Sequence, residues 1–315
     1  MSKINTFINL LSDKAEFKIA VFNNIVHTNV FNILSDETFL KIAYKVRFGK
    51  KLNLDNPISF NEKLQWLKLY NQDSKYVTMV DKIAVKKYIA KIVGEDIIIP
   101  TLGVYNTFDE INFNDLPNQF VIKCNHDSGN VVICKDKTCF DFKQAKHIIT
   151  KALKNNLFYW GREWPYKKVT PKIIVEKYME DKETNELRDY KFFCFDGKVK
   201  FMFVATDRSI HDTKFNFYDL NFNLLPFTQH YPNDKRNIVK PKNFDKMVKL
   251  AETLSKDIPH VRVDFYEVNG KIYFGEFTFY HFSGFVPFSP EVWDEKIGRM
   301  LKLPKEKKVA GSDAK

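Results

Sequence analysis

Toward the C-terminal end, Arg262 and Asp264 stand two residues apart in one extended segment, and Glu276 and Thr278 do so in another. The two segments are joined by a turn containing Asn269-Gly270. Side chains on a strand repeat every second residue, so Arg262 shares a face with Asp264 and Glu276 shares one with Thr278. Antiparallel pairing would make those faces coincide. Two carboxylates and an oxygen-bearing side chain suit Mg²⁺, a hard cation that also keeps waters and phosphate oxygens as ligands. A guanidinium beside them can grip a phosphoryl group through two parallel hydrogen bonds. The plainer alternative is a surface hairpin with a cross-strand salt bridge.

Three further groups carry possible chemistry. Lys123 ends an apolar strand, and a polar turn with His126, Asp127, Ser128 and Gly129 leads into the next one. Backbone N–H groups of such a turn can cradle phosphates while a lysine neutralises them. The GxxxxGK[ST] loop is absent, and an ordinary hairpin with a solvated lysine would look the same. His126 either touches a phosphate or stabilises its loop. Glu176 ends the apolar run Ile173–Val175, where a carboxylate can accept from an adenine amino group while the backbone of Lys177, Tyr178 and Met179 bonds the ring edge. Asp189 and Lys191 can present a ribose acceptor and a phosphate donor, or form a cross-strand ion pair. Arg162 and Trp164 either stack on a sugar ring or belong to an aromatic loop packed on the domain.

The first hundred residues read as helices that must hold these groups. Ser35-Asp36 caps a helix over 38–48, and Ser59 introduces FNEKLQWLKLY with Phe60, Leu64, Leu67 and Leu69 near the helical period. Another helix is predicted over 76–93, stopping at Gly94. Strands are predicted over 97–99, 120–124, 131–134, 173–178, 190–195, 199–205, 261–266 and 272–277, with helices near 141–154 and 243–257. Asp196-Gly197 and Asn269-Gly270 mark hairpin turns. Hairpins mixed with helices give an α+β class.

The chain has 315 residues with 50 Lys and Arg against 39 Asp and Glu, a net charge of +11. That favours an anionic partner without naming one. Only seven cations are arginine and no nucleic-acid-binding module is present, so nucleic acid is a poor partner. The N-terminus lacks the shape of a secretory signal, and the window 17–34 is too polar to span a lipid bilayer. Cys124, Cys134, Cys139 and Cys194 have no metal-ligand spacing and read as reduced thiols. These features place the chain in the cytoplasm.

In chain order, a phosphate-type lysine, a hinge-type glutamate, Arg-x-Asp and a late glutamate resemble the ATP-grasp enzymes. The resemblance is closest to their TupA-like branch, associated with teichuronopeptide and surface-polysaccharide biosynthesis. SFNEKLQWLKLY (59–70), DKIAVKKYI (81–89), FVIKCNHDSGN (120–130), IIVEKYM (173–179), DYKFFCFDGK (189–198) and the 261–279 hairpin carry it, over roughly residues 55–290. It implies an α+β ATP-grasp fold with the nucleotide held between two α+β subdomains. A helical N-terminal region (1–70) would precede the catalytic region (71–304), made of a central subdomain (95–180) and a metal-binding one (181–304), with a mobile tail over 305–315.

By the same resemblance, Lys82 and Lys123 would contact ATP phosphates under the 124–130 loop. Glu176 and the 177–179 backbone would hold adenine. Asp189 would lie near the ribose, with Glu180 or Glu183 as competitors. Asp264, Glu276 and Thr278 would ligate Mg²⁺, and Arg262 would stabilise the transferring phosphate. Two positions depart from the pattern: Thr278 replaces a common Asn, and Asp127 replaces a glycine, so its carboxylate should point away from the phosphates or toward a metal. The implied reaction is ATP-dependent ligation. A carboxylate becomes an acylphosphate and an amine displaces phosphate. From its place just past the hairpin, His281 either orients the acceptor or deprotonates the amine, or is a loop histidine packed among Phe279, Tyr280 and Phe282. The implied carboxylate is a uronic acid of a sugar nucleotide or surface glycan; the amine is a small amino acid or amino alcohol. The rivals are a glycosyltransferase of the same pathway, for which no DxD motif is present, a kinase acting on a hydroxyl, and a non-catalytic anionic-glycan-binding module.

Overall fold

The computed structural model describes residues 14–28, 30–183, 187–207 and 212–309. Most of the stretch read for a leader (1–13) and the end of the expected tail (310–315) lie outside the described residues. Five helices come first: α1 (Lys14–His27), α2 (Asp36–Phe48), α3 (Phe60–Tyr70), α4 (Lys75–Val80) and α5 (Ala84–Val93). Ser35 caps α2, and Ser59 with Glu62 forms a reciprocal capping box on α3, as their types and spacing require.

Two antiparallel sheets follow. The smaller holds β1 (Thr101–Tyr105), β2 (Phe120–Cys124), β3 (Val131–Cys134) and β4 (Ile173–Lys177) in the order β1-β4-β2-β3. Helices α6 (Phe142–Lys154) and α7 (Phe158–Gly161) lie between β3 and β4 in the chain. The larger holds β5 (Asp189–Phe195), β6 (Lys198–Thr206), β7 (Lys214–Tyr218), β9 (His260–Val268) and β10 (Lys271–Thr278) in the order β10-β9-β5-β6-β7. A short pair, β8 (Thr228–Gln229) with β11 (Phe288–Ser289), and helices α8 (Phe244–Leu254) and α9 (Val292–Met300) complete the chain. Both expected hairpin turns are present, and all four central residues have positive φ: Asp196 50°, Gly197 70°, Asn269 50° and Gly270 75°. That geometry matches the right-handed twist of paired strands.

The two sheets have separate cores. Phe108, Phe120, Ile122, Ile149, Ile173 and Val175 fill the one between the small sheet and α6. The large sheet shares its core with the N-terminal helices, where Phe60 packs its ring against Phe193, Phe195 and His260. Lys308, expected in a mobile tail, runs beside α3: its N–H donates to the Tyr70 carbonyl (2.8 Å), and its own carbonyl accepts from Gln72 (2.9 Å). No helix among the described residues is long and apolar enough to cross a membrane.

Two expected elements differ. The single helix over 76–93 is broken between α4 and α5, because the Asp81 carboxylate accepts the N–H groups of Ile83 (2.8 Å) and Ala84 (3.3 Å) and starts a new helix. The strand expected at 97–99 is irregular. The strand starts past Pro100, whose carbonyl accepts from Lys177 (3.0 Å), and Ile97 and Ile99 are buried.

Candidate active site

A narrow cleft lies between the sheets, lined by Lys82, Val85, Lys86, Ile98, Ile99, Lys123, Glu176, Phe274 and Gly275. Its apolar residues come from α5, the irregular segment before β1, and β10; its charges come from Lys82 just before α5, Lys86 on α5, β2 and β4. Glu176 is buried between two lysines: Oε1 lies 2.5 Å from Lys86 Nζ, and Oε2 lies 2.5 Å from Lys123 Nζ. Burial alone would push the Glu176 pKa up, but Lys123 and Lys86 outweigh it and hold the carboxyl below its ordinary range. Lys86 also donates to the Ile99 carbonyl (2.8 Å) and the Thr101 hydroxyl (2.7 Å). The break at Asp81 releases Lys82 from the helix, so that its N–H donates to Asn125 O (3.1 Å) and its ammonium to Asp127 O (2.6 Å). Lys82 thus ties α5 to the loop between β2 and β3. Burial lowers its pKa, against the pull of Glu276.

On the other wall, the register of β9 with β10 sets Asp264 opposite Glu276 and Arg262 opposite Thr278, so the two faces coincide as the alternation demands. Asp264 is fully buried. It accepts from Arg262 Nε (2.8 Å) and a terminal Arg262 nitrogen (2.7 Å), and from Lys191 Nζ (2.5 Å). Burial raises its pKa, and Arg262 and Lys191 overcome that, so the carboxyl stays ionised below its usual range. Arg262 further donates to His281 Nδ1 (2.6 Å) and Thr278 Oγ1 (2.9 Å), with Glu276 3.6 Å away. Four of its five N–H donors are therefore engaged. Glu276, 37% exposed, is the open carboxylate of this face.

The profile of the TupA-like ATP-grasp family matches residues 62–302. The chain belongs to this family. Its α+β architecture of two antiparallel sheets flanking a cleft is the ATP-grasp fold expected above. No curated protein matches the chain. Among solved structures it is similar to the D-alanine–D-alanine ligase of Bacillus anthracis complexed with ATP, at 15% identity over 65% of this chain and 54% of that one, with a TM-score of 0.38. It is similar to the D-cycloserine synthetase DcsG at 17% identity, 64% and 62% coverage and a TM-score of 0.35. The ATP-grasp ligase PsnB, complexed with minimal precursor, Mg and ADP, is 9% identical, with 70% and 57% coverage and a TM-score of 0.36. The chain spans less than two thirds of the length of each.

Within this ATP-grasp chain the expected site residues fall into two sets. Lys82, Lys123, Glu176, Lys191, Arg262, Asp264, Glu276, Thr278 and the exposed Ser128 and Gly129 line the two walls or the loop between them. Others are turned away. His126 is buried, its Nε2 2.9 Å from the Asn155 carbonyl, and burial lowers its pKa, so it stabilises the loop from inside. The Asp127 carboxylate is capped by the Asn130 side chain. Asp189 is fully buried, 3.5 Å from Lys191. Glu180 instead stands exposed beyond Lys177, Tyr178 and Met179, accepting from Tyr178 Oη (2.9 Å) and Lys135 (3.2 Å), while Glu183 pairs with Lys242 (3.1 Å). Arg162 is 2% exposed, its guanidinium 4.4 Å from the Phe39 ring centroid and bonded to Phe31 O (2.7 Å). Trp164 is buried too, so neither offers a face to a sugar, and the packed-loop alternative holds.

Of the expected hard-oxygen set, Glu276 is open toward a cation, whereas Asp264 is fully buried and accepts from Arg262 and Lys191, and Thr278 Oγ1 accepts from Arg262. Among the described residues no group of three or more His, Cys, Asp or Glu is arranged as a metal cage. One open carboxylate suits an ion that completes its shell with phosphate oxygens and waters. Sequence reasoning missed Lys86, which lines the cleft and holds Glu176. Lys86 was within reach of it, since it lies one helical turn after Lys82.

Proposed function

We propose that the protein is an ATP-dependent carboxylate–amine ligase of surface-polysaccharide biosynthesis, activating the carboxylate of a uronic acid as an acylphosphate and joining it to a small amine. The observation that best supports this reading is the β9–β10 register, which lines Arg262, Asp264, Glu276 and Thr278 on one face, opposite a lysine-lined slot. Adenine lies on Val85, Ile98, Ile99 and Phe274, with residues 177–179 at its edge. Each Glu176 oxygen keeps a second lone pair for the adenine amino group. Glu180 takes the ribose in place of the buried Asp189. Lys82 and Lys123 neutralise the phosphates beneath the 124–130 loop, and Lys191 holds Asp264 in place. Glu276, with Asp264 and Thr278 beside it, holds Mg²⁺, which when bound offsets phosphate charge.

A carboxylate oxygen of the substrate attacks the γ-phosphorus and ADP leaves. The remaining N–H of Arg262 is available where charge develops on the transferred group. The amine nitrogen then attacks the acyl carbon, and phosphate departs with the bonding pair. An excess of eleven positive charges suits an acidic sugar nucleotide or glycan of capsule, O-antigen or teichuronopeptide type. The deciding experiment measures ADP release with Mg-ATP and a panel of uronic acids and UDP-uronates, with and without mixed amino acids and amino alcohols. Release that needs both substrates, with an amide mass in the product, is expected. A stable phosphate ester would make the protein a kinase. Absence of ADP release and of any Mg-ATP thermal shift would leave a glycan-binding module.

A further inference from the structure

The face that carries Arg262 and Asp264 continues past β9. Directly opposed residues of paired strands share a face. The pairs Asp264–Lys191, Lys191–Phe203, Asp189–Ala205 and Ala205–Phe215 extend it across β5 and β6 to β7. The nucleotide slot lies at the opposite edge, where β10 contributes Phe274 and Gly275. In phosphoryl transfer the attacking and leaving oxygens stand in line. With ADP leaving toward β10, the attacking carboxylate lies on the side of β5, β6 and β7, and so does the amine that follows it.

His230 stands at that margin, exposed to solvent. Its ring lies 4.4 Å from that of Tyr231 and 5.2 Å from that of Phe282, centroid to centroid. Both neighbours pack on Phe215 of β7, at 4.7 Å and 6.1 Å. Phe282 also lies 4.4 Å from the ring of His281, whose Nδ1 accepts from Arg262 (2.6 Å). One aromatic ring thus separates His230 from the group that holds the guanidinium. A base for the amine must stand farther from Arg262 than the phosphoryl group and the acyl carbon do, and His230 does.

The backbone is bent to put it there. His230 has φ of 63°, and the Tyr231 N–H donates to the Gln229 carbonyl (2.7 Å), closing a left-handed three-residue turn, the rare and strained form. Residues on both sides hold it. Gln229 pairs with Phe288 of β11 and donates its side-chain amide to Val286 O (2.9 Å), while the Phe215 N–H donates to Pro232 O (3.0 Å). Such strain persists only where the surroundings over-determine it, and it collects at functional sites. The imidazole presented in this way has no hydrogen-bond or ion-pair partner among the described residues.

His281, the other imidazole of this region, is differently committed. It is buried, its Nδ1 lone pair is given to Arg262, and burial beside Arg262 and Lys191 keeps the ring neutral. What remains is Nε2–H, a donor with no partner among the described residues. His281 therefore positions Arg262 and cannot take a proton from the amine.

We infer that His230 takes the proton of the amine substrate, its ring held at the rim by Tyr231 and Phe282. This rests on the ligase reading above. A proton moves from R–NH₃⁺ to the lone pair of the imidazole. The freed nitrogen lone pair attacks the acylphosphate carbon, the C–N bond forms, the C–O bond to the phosphate breaks, and phosphate leaves with that pair. The second amine proton departs with phosphate, and His230 returns its own to water.

Hydroxylamine provides the test, because it is uncharged at neutral pH and needs no base. Wild-type protein is incubated with Mg-ATP, UDP-glucuronate or UDP-galacturonate, and either hydroxylamine or mixed amino acids and ethanolamine. Asn and Asp both tolerate a left-handed backbone and have the same shape, but only Asp carries a basic carboxylate. With His230→Asn, amide formation should fall about 100-fold while hydroxamate formation stays within about threefold of wild type. His230→Asp should recover part of the amide rate. His230→Gly, which relieves the left-handed strain, should show the same split as His230→Asn. Equal losses of hydroxamate and amide, retention of both, or equal amide rates in the Asn and Asp variants would overturn the assignment of His230. Absence of hydroxamate from wild type with both nucleotide sugars would instead remove the ligase reading beneath it.

Discussion

Glu176 sets the charge of the nucleotide slot, since both its oxygens are held by ammonium groups that would otherwise face one another. Glu176→Gln should therefore destabilise the protein at neutral pH. Removing one partner of a buried pair costs about 3–5 kcal/mol, but Lys86 and Lys123 keep some water contact, so a loss of about 1–3 kcal/mol is expected from urea midpoints. The folded pKa of Glu176 lies below its unfolded value, so its contribution is complete above the unfolded pKa and is lost as pH falls through the folded one. The gap between wild type and variant should consequently narrow on acidification. Arg262 tests the opposite wall. Arg262→Lys keeps the charge and loses the fork on Asp264 together with the bond to His281; kcat for ADP formation should fall about 100-fold, the scale for one lost donor to a developing oxyanion. Much of this was legible in the sequence. Strand alternation alone put Arg262, Asp264, Glu276 and Thr278 on shared faces. What alternation does not carry is saturation, namely that Asp264 and Glu176 already hold two cations each, because Lys191, Lys86 and Lys123 come from β5, α5 and β2 while only Arg262 shares a strand with its carboxylate.

The elements show where periodicity succeeds and where local capping overrides it. α3 was legible from Ser59, Glu62 and the apolar positions, yet its polar stripe of Asn61, Gln65 and Lys68 reads as solvent-facing in sequence and is buried in the fold. Their partners are distant in sequence: the turn after β10 takes Gln65 and Lys68, Gly161 also accepts from Lys68, and Val286 accepts from Asn61. The α4–α5 break is similar: a capping Asp81 inside an unbroken amphipathic pattern outweighs propensity and frees Lys82 for the site. The clamp between α3 and the turn leads to a paired expectation. Gly284 has φ +62°, and a Cβ there would come 2.4 Å from Gln65 Nε2 and 3.0 Å from Leu64 Cβ. Gly284→Ala should thus cost the left-handed strain of about 1–2 kcal/mol plus displacement of α3, seen as a drop in Tm and in ligase activity. Gly129 in the phosphate loop has φ +90° but open space around its Cβ position. Gly129→Ala should show the strain alone, with the smaller fall in Tm.

At the scale of the whole molecule, the two cores are unequal. The large sheet is buried together with helices from both ends of the chain, while the small sheet rests on α6 and a much shorter set of apolar residues. Area removed from water sets most of the free energy of each unit, so the small-sheet unit should open at lower cost than the large one. Amide hydrogens of β1, β2, β3 and β4 should accordingly exchange faster than those of β5 and β9, which lie inside the five-stranded sheet. The cleft between the units is lined by Lys123 and Glu176 of the small sheet and, on the side of the large core that α5 joins, by Lys82, Lys86, Phe274 and Gly275. A nucleotide that touches both sides binds only when both are folded, and so couples their openings. At about 100 times its dissociation constant, Mg-ATP should add about 2.7 kcal/mol, which raises Tm by roughly 5 °C for a chain of this size. The added protection should concentrate in the small sheet, because that unit has the most exchange to lose. Lys82→Ala, which removes the ammonium tie between α5 and the 124–130 loop, should weaken both effects while leaving exchange in β5 and β9 unchanged. Uniform protection across both sheets would mean that the chain already opens as one unit, and that the nucleotide does not join two.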